Sequence, residues 1–122
     1  MRRLAAAALL AALAGAAGAA PTAADPPALT AARLNAQLAV AYLKQNDVTT
    51  AQEKIDKALA QYPRDASVQL SAALVYERLE QADKADRFFT EALRLDPRNP
   101  GMLNDYAVFQ CRRGRYAQGQ KL

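Results

Sequence analysis

A period of 34 residues is the feature of the sequence that most restricts how the chain can fold. Residues of the same kind recur at this spacing, among them prolines, tyrosines and alanines: Pro63 and Pro97, Tyr42 and Tyr76, Ala51 and Ala85, Ala58 and Ala92, Leu59 and Leu93, Arg64 and Arg98. Such a period is typical of proteins in which each unit is one supersecondary element stacked on the next. We therefore expect a repeat protein.

Composition indicates that each unit is helical. Only 5 of the 122 residues are glycine, tryptophan and histidine are absent, and alanine, leucine, lysine, arginine, glutamate and glutamine are abundant. These residues lose little conformational freedom in an α-helix. We therefore expect an all-α fold.

The recurring residue types fit pairs of antiparallel helices. Two helices pack closely where small side chains lie at their crossing, and the sequence provides Ala39, Ala51 and Ala58 in the first unit and Ala73, Ala85 and Ala92 in the second. Tyr42 and Tyr76 are expected to fill the space beside these contacts. Pro63 and Pro97 are expected to end the second helix of each pair, because proline interrupts a helix.

This pattern of small, aromatic and proline positions resembles the tetratricopeptide repeat. The resemblance implies a right-handed superhelical array of antiparallel helix pairs over residues 31–122, with repeats at 32–65 and 66–99 and an incomplete third repeat at 100–122. It places the helices near residues 30–45, 49–61, 66–79, 83–95 and 100–113, and from 116 to the end. The tryptophan of the motif is absent, since Asn35, Gln69 and Leu103 occupy its place. An unrelated helical hairpin protein with accidental periodicity is the alternative.

The amino terminus has the three-part layout of a secretory signal peptide. A basic start at residues 1–3 precedes an apolar run at 4–13 and small residues at 15–20. We expect cleavage after Ala19, a signal peptide at 1–19 and a flexible, proline-containing linker at 20–30. The protein would then be periplasmic, although an alanine-rich helical start is the alternative. Ala16 stands where a lipoprotein would carry its lipidated cysteine, so no lipid anchor is predicted.

The resemblance also implies a partner-binding groove lined by the first helix of each pair. The expected groove residues form an apolar stripe with a polar rim: Ala36, Val40, Lys44, Leu70, Leu74, Glu77, Asn104 and Val108. Such a stripe suits an amphipathic helix or an extended apolar peptide. The alternative is that part of the stripe is core between repeats.

The segment LNDYAVFQCRRGRYAQG, residues 103–119, looks like the matching stretch of the type IV pilus biogenesis and stability lipoproteins, the pilotins. The likeness is carried by Asn104, Tyr106, Phe109, Cys111, Gly114 and Tyr116. It implies a scaffold for fimbrium assembly that assists assembly of the outer-membrane secretin or stabilises the pilus, associated with the outer membrane through its partners. The alternatives are a general periplasmic adaptor in envelope maintenance or cytochrome maturation, and a carrier module of a longer enzyme.

The sequence offers no catalytic, metal or cofactor site. It has no histidine, a single cysteine and no glycine-rich phosphate loop. The formal net charge of +4 falls to +2 without Arg2 and Arg3, too little to favour nucleic acid. We therefore expect a non-enzymatic protein with a protein partner. Cys111 either forms a disulfide in a longer form of the chain or is a small buried hydrophobe.

Overall fold

Between residues 24 and 119 the chain folds into five α-helices, arranged as two pairs followed by a single helix. This computed structural model describes the backbone of residues 24–119 and the side chains of residues 24–115. The helices are α1 Pro27–Lys44, α2 Val48–Gln61, α3 Ala66–Arg78, α4 Ala82–Leu95 and α5 Pro100–Gly119. No strand occurs between residues 24 and 119, which confirms the predicted all-α class.

The predicted signal peptide, including Ala16, and residues 20–23 of the predicted linker lie outside the described residues. The remainder of that linker is partly helical, because α1 begins at Pro27. Proline is well suited to the first turn of a helix, where its missing N–H would have no intrahelical acceptor. Leu29 is buried, so the first turn of α1 already belongs to the core.

The two helix pairs pack through the small residues that the repeat predicts. Six alanines are 0% exposed: Ala39, Ala51, Ala58, Ala73, Ala85 and Ala92. Ile55 on α2 and Phe89 on α4, which occupy the same repeat position, are buried beside them. These side chains form one continuous apolar cluster that runs from α1 to Phe109 on α5. The repeat therefore places one core along the stack, and each pair buries its side chains against its neighbour.

The turns inside the two pairs are built alike. The N–H of Asp47 donates to the carbonyl of Tyr42 at 3.0 Å, and the N–H of Gln81 donates to that of Tyr76 at 3.0 Å. Each turn holds one residue in the left-handed region, Asn46 with φ 60° and Glu80 with φ 59°. Asparagine tolerates this conformation, whereas glutamate adopts it at a cost.

Asp65 joins the first pair to the second. Its carboxylate caps α3 by accepting the Val68 N–H at 3.2 Å, and it also accepts from Arg33 Nη2 of α1 at 2.8 Å and from the Ser67 hydroxyl. Desolvation by burial opposes ionisation of this carboxyl, but the hydrogen bonds from Arg33, Ser67 and Val68 outweigh it, so the pKa of Asp65 lies below its ordinary value. The junction is thus charged and hydrogen-bonded at neutral pH.

Helix α5 differs from the predicted hairpin. The sequence predicts a helix end near residue 113 and a new helix from 116, but α5 continues without a break to Gly119. Gly114 occupies the repeat position of Asn46 and Glu80, yet no described glycine has positive φ. Glycine permits a left-handed turn but does not require one, and Gly114 lies within the unbroken helix α5.

Candidate protein-binding surface

The first helices of the units, α1, α3 and α5, carry the residues predicted to line a groove. On α1, Val40 is half-buried and Lys44 is exposed, so both can be reached from solvent. Ala36 is only 2% exposed and belongs to the core cluster. Its prediction as a groove contact is wrong, because the side of α1 that carries Ala36 packs inside the stack.

On α3, Leu70 and Leu74 are half-buried and pack against the core cluster. Each therefore contributes to stability and also presents part of its side chain to solvent. On α5, Asn104 and Val108 are exposed. The accessible part of the predicted stripe thus extends from Val40 to Val108, with its most accessible apolar side chain on α5.

An ion pair crosses from α3 to α5 at the edge of this surface. Arg112 Nη1 lies 2.9 Å from Glu77 Oε1, and the Glu77 side chain is the more buried of the two. The contact joins a predicted groove residue, Glu77, to an arginine that is not among the predicted groove residues. It therefore links the two helices directly at the rim of the groove.

A cleft of about 690 Å³ lies beside this ion pair. It is lined by the end of α3, the turn into α4 and the facing side of α5: Glu77, Arg78, Glu80, Ala82, Phe109, Arg112 and Arg113. The sequence gives the charged residues but does not indicate the cleft, because the cleft depends on how α5 is placed relative to α3. Sequence reasoning missed it for that reason.

The arginines around the cleft are held by acidic or carbonyl partners. Arg113 is paired with Asp83 and lies 3.9 Å from Asp86. Arg78 Nη2 donates to Asn46 Oδ1 at 2.9 Å. These pairs leave a rim of mixed charge above the buried ring of Phe109. Such a rim suits a peptide with polar residues of both signs better than a phosphate, which would require unneutralised cations.

Aromatic contacts position α5 against α4. The Phe89 ring lies 5.0 Å from that of Phe109 and 5.5 Å from that of Tyr106, measured between centroids. The Tyr106 hydroxyl donates to Asp86 Oδ1 at 2.8 Å, and burial together with this carboxylate raises the pKa of Tyr106. These residues hold the candidate surface of α5 in place.

The two repeat tyrosines have different surroundings. Tyr76 is buried, and its hydroxyl donates to Asp56 Oδ1 of α2 at 2.6 Å, while Lys84 Nζ lies 4.1 Å from its ring centroid. Tyr42 is half-buried. The difference arises because Tyr76 contacts the helix pair before it, whereas the described residues contain no helix pair before α1.

Cys111 is exposed on α5. The alternative in which it is a small buried hydrophobe is therefore wrong. With Ala107, Val108, Arg112 and Arg115 it lines a shallow depression of about 350 Å³. Within residues 24–115, no group of three histidine, cysteine, aspartate or glutamate side chains is arranged to hold a metal ion. None of the described helices is both long and apolar enough to span a membrane.

The fold and part of the sequence match known proteins. Residues 66–99 match the family model of the tetratricopeptide repeat. The chain is 29% identical over 92 residues to an uncharacterized protein of Haemophilus influenzae, covering 75% of this chain and 51% of that protein. It is 30% identical over 82 residues to the type IV pilus assembly protein PilF of Pseudomonas aeruginosa, covering 67% of this chain and 32% of PilF.

A solved structure from a functional characterization of Pseudomonas aeruginosa PilF is similar as well. Its TM-score is 0.68 at 28% identity, and the match covers 75% of this chain and 41% of that one. The chain thus spans about half the length of the Haemophilus relative and about a third of PilF.

Proposed function

We propose that this chain, a tetratricopeptide-repeat protein with distant similarity to PilF, acts in type IV pilus biogenesis as a protein-binding scaffold that assists secretin assembly or pilus stability. The observation that carries the proposal is the joint sequence and structural similarity to PilF over most of the described residues. Tetratricopeptide repeats bind proteins and are generally not catalytic.

The partner would bind along the first helices. Val40, Leu70, Leu74 and Val108 supply apolar contacts, and Val108 is the most accessible of them. Lys44 and the Glu77–Arg112 pair supply a polar rim. An amphipathic helix or extended peptide fits this arrangement, because its apolar side chains would cover the stripe while its polar side chains meet the rim.

The setting would be the periplasm, with contact to the outer membrane made through the partners. The signal-peptide pattern at residues 1–19 supports export, and Ala16 at the lipidation position argues against a lipid anchor. The proposed partner is the secretin or another pilus-assembly protein.

A deletion strain tests the proposal. Surface pili and heat-resistant secretin multimers would be quantified in the deletion strain and after complementation with the wild-type gene, with Val108→Glu, or with Ala60→Glu as a control on the exposed side of α2. We expect both readouts to fall in the deletion strain and with Val108→Glu, and to recover with Ala60→Glu. Normal pili and multimers in the deletion strain would overturn the pilus function.

A further inference from the structure

The excess of basic side chains among residues 24–115 lies on the first helices of the units. Helices α1, α3 and α5 carry six basic residues there and two acidic ones, Glu77 and Asp105. Helix α2 carries two residues of each sign and α4 carries three of each. The turns and the segment before α1 together hold five carboxylates and two arginines. The helices that carry the predicted groove are thus positively charged, whereas the rest of the described chain is neutral or negative.

The basic residues of the first helices include a row at the edge of the apolar stripe. One period separates the members of what we call the basic row: Lys44, Arg78 and Arg112. Each follows by four residues a member of what we call the apolar row: Val40, Leu74 and Val108. Residues four apart lie on one face of a helix, and all three cations are exposed. Each first helix therefore presents an apolar side chain and, one turn later, a cation.

Two members of the basic row have no acidic partner among the described residues. Arg112 is bound to Glu77, but Arg78 donates to uncharged acceptors, the side-chain oxygen of Asn46 and a backbone carbonyl. No carboxylate oxygen of residues 24–115 lies within 4.0 Å of a side-chain nitrogen of Lys44 or Arg78. The charges around the α3–α5 cleft are therefore paired, whereas those toward α1 are available to a partner.

The helix dipole alone does not account for these cations. The dipole favours a cation near the carboxyl end of a helix, and Lys44 and Arg78 lie in the last turns of α1 and α3. The last turn of α2, however, contains no basic residue, and Arg94 in the last turn of α4 is bound to Glu91 at 2.6 Å. Cations without a carboxylate partner thus occur in the last turns of the helices that carry the apolar row.

We propose that the partner bound here is an amphipathic α-helix whose apolar face is bordered by acidic side chains, a proposal that rests on the protein-binding function proposed above. The apolar side chains of this helix cover the apolar row, and its carboxylates pair with Lys44 and Arg78. Such a carboxylate gives Arg78 a charged acceptor in addition to neutral ones, and charge-assisted hydrogen bonds are the stronger kind. A neutral or basic helix offers these cations no such pairs, so the charges select against it.

The packing of α1 and α3 sets the spacing expected in the partner. Packed helices lie about 8–10 Å apart, and an α-helix rises about 1.5 Å per residue. A helix that lies across α1 and α3 therefore advances by about five to seven residues from one to the other. About seven residues make two turns, so that step returns the same face of the partner to each first helix. The expected partner has apolar residues and flanking acidic residues in a seven-residue period.

A designed peptide tests the proposal. It has three periods of about seven residues, with leucine and glutamate at the repeating positions and alanine and glutamine elsewhere. Three control peptides replace glutamate by glutamine, replace it by lysine, or scramble the sequence. Fluorescence anisotropy measures the Kd of each peptide for the chain purified in the form that accumulates in the cell.

Two double variants locate the binding site. Lys44→Gln with Arg78→Gln removes the cations without a carboxylate partner, and Lys57→Gln with Arg87→Gln removes two exposed cations from α2 and α4 as the matched control. Circular dichroism verifies the fold of both. Because Arg78 also bonds to Asn46, Lys44→Gln alone replaces the first double variant if that variant loses helicity.

We expect the glutamate peptide to bind the wild type and the control variant equally, and more tightly than the three control peptides bind. The variant at Lys44 and Arg78 should bind it about 2- to 30-fold more weakly, as expected for two exposed ion pairs. This difference should shrink at about 1 M salt, where charges are screened within about 3 Å.

Absence of binding by the glutamate peptide overturns the proposal, and so does a glutamine peptide that binds as tightly. An equal loss in the control variant would contradict the site, and equal binding of the scrambled peptide would contradict a helical partner with this period. The binding is measured without the pilus machinery. Its failure therefore leaves the result of the deletion strain standing, and normal pili in that strain leave the binding result standing.

Discussion

The closed helix pairs and the single helix α5 contain the same repeat pattern but use it differently. Ala39 and Ala73 are fully buried where a second helix crosses the first, whereas Ala107, at the same repeat position, is exposed. The small side chain is present in all three units. The small side chain contributes to packing only where another helix approaches, and among the described residues no helix covers Ala107.

The turn position shows the same contrast. Asn46 and Glu80 take left-handed backbone conformations so that α2 and α4 can fold back. Gly114, which would adopt that conformation most easily, stays helical, and a Cβ added there would meet nothing within 4 Å. A residue suited to a turn therefore permits a turn without requiring one.

The largest expected effect concerns the link between the closed pairs and α5. Phe89→Ala should lower the free energy of unfolding by about 3–5 kcal/mol, because it empties a buried site that both Tyr106 and Phe109 contact. Thermal and chemical denaturation followed by circular dichroism would measure the loss. Leu103→Ala, on the exposed side of α5, is the control and should change stability by less than about 0.5 kcal/mol. Equal losses would mean that α5 is not held through Phe89.

The second prediction compares one repeat position in the two regions. Ala73→Leu should destabilise the fold by about 1–3 kcal/mol, since the added atoms have no space at a close helix crossing. Ala107→Leu should alter the free energy of unfolding by less than about 0.5 kcal/mol, because the side chain projects into solvent. Urea unfolding of both variants measures the difference. A comparable loss in Ala107→Leu would show that a second helix covers α5.

The third prediction concerns the junction at Asp65. The pKa of Asp65 is lowered in the folded state. The carboxylate therefore makes its full contribution to the free energy of unfolding above the ordinary carboxyl pKa, and this contribution is lost as the pH falls through the lowered pKa of the folded state. Asp65→Asn should therefore lower the free energy of unfolding by about 1 kcal/mol at neutral pH. The gap in free energy of unfolding between variant and wild type should narrow below about pH 4. Denaturation at a series of pH values measures this gap. A gap that stays constant to about pH 3 would contradict the role given to the Asp65 carboxylate.

The smallest effects come from opposite substitutions at the turn position. Glu80→Gly should stabilise the fold by roughly 0.5 kcal/mol by relieving the left-handed glutamate. Gly114→Ala should also stabilise, by up to about 1 kcal/mol, because alanine is the better residue inside a straight helix. The melting temperatures of the two variants, compared with that of the wild type, test both expected stabilisations. Destabilisation by Gly114→Ala would indicate that this residue makes a turn in solution.

Much of the fold follows from the sequence because its determinants are local or periodic. The all-α class and the resemblance to the tetratricopeptide repeat are confirmed, and the alanines at the helix crossings are buried as expected. The break expected near residue 113 is wrong, since glycine at position 114 permits a turn but is also compatible with a continuous helix.

The candidate site is less predictable because it depends on distances between units. Ala36 has the periodicity of a groove residue but lies inside the stack, and Arg112 is not among the predicted groove residues although α5 brings it to Glu77. The cleft beside that ion pair is set by the placement of α5, which no single position encodes. The groove as a partner-binding site and the signal peptide stay predictions.

Residue-resolved hydrogen exchange tests the contrast between the closed pairs and α5 most directly. Amides exchange slowly where opening requires disruption of packed structure and quickly where a helix is packed on one side only. We expect residues 70–78 of α3 to exchange with free energies near that of global unfolding, and residues 107–115 of α5 to exchange much faster through local opening. Equal protection of the two segments would contradict the account, because it would show that α5 is packed as completely as α3.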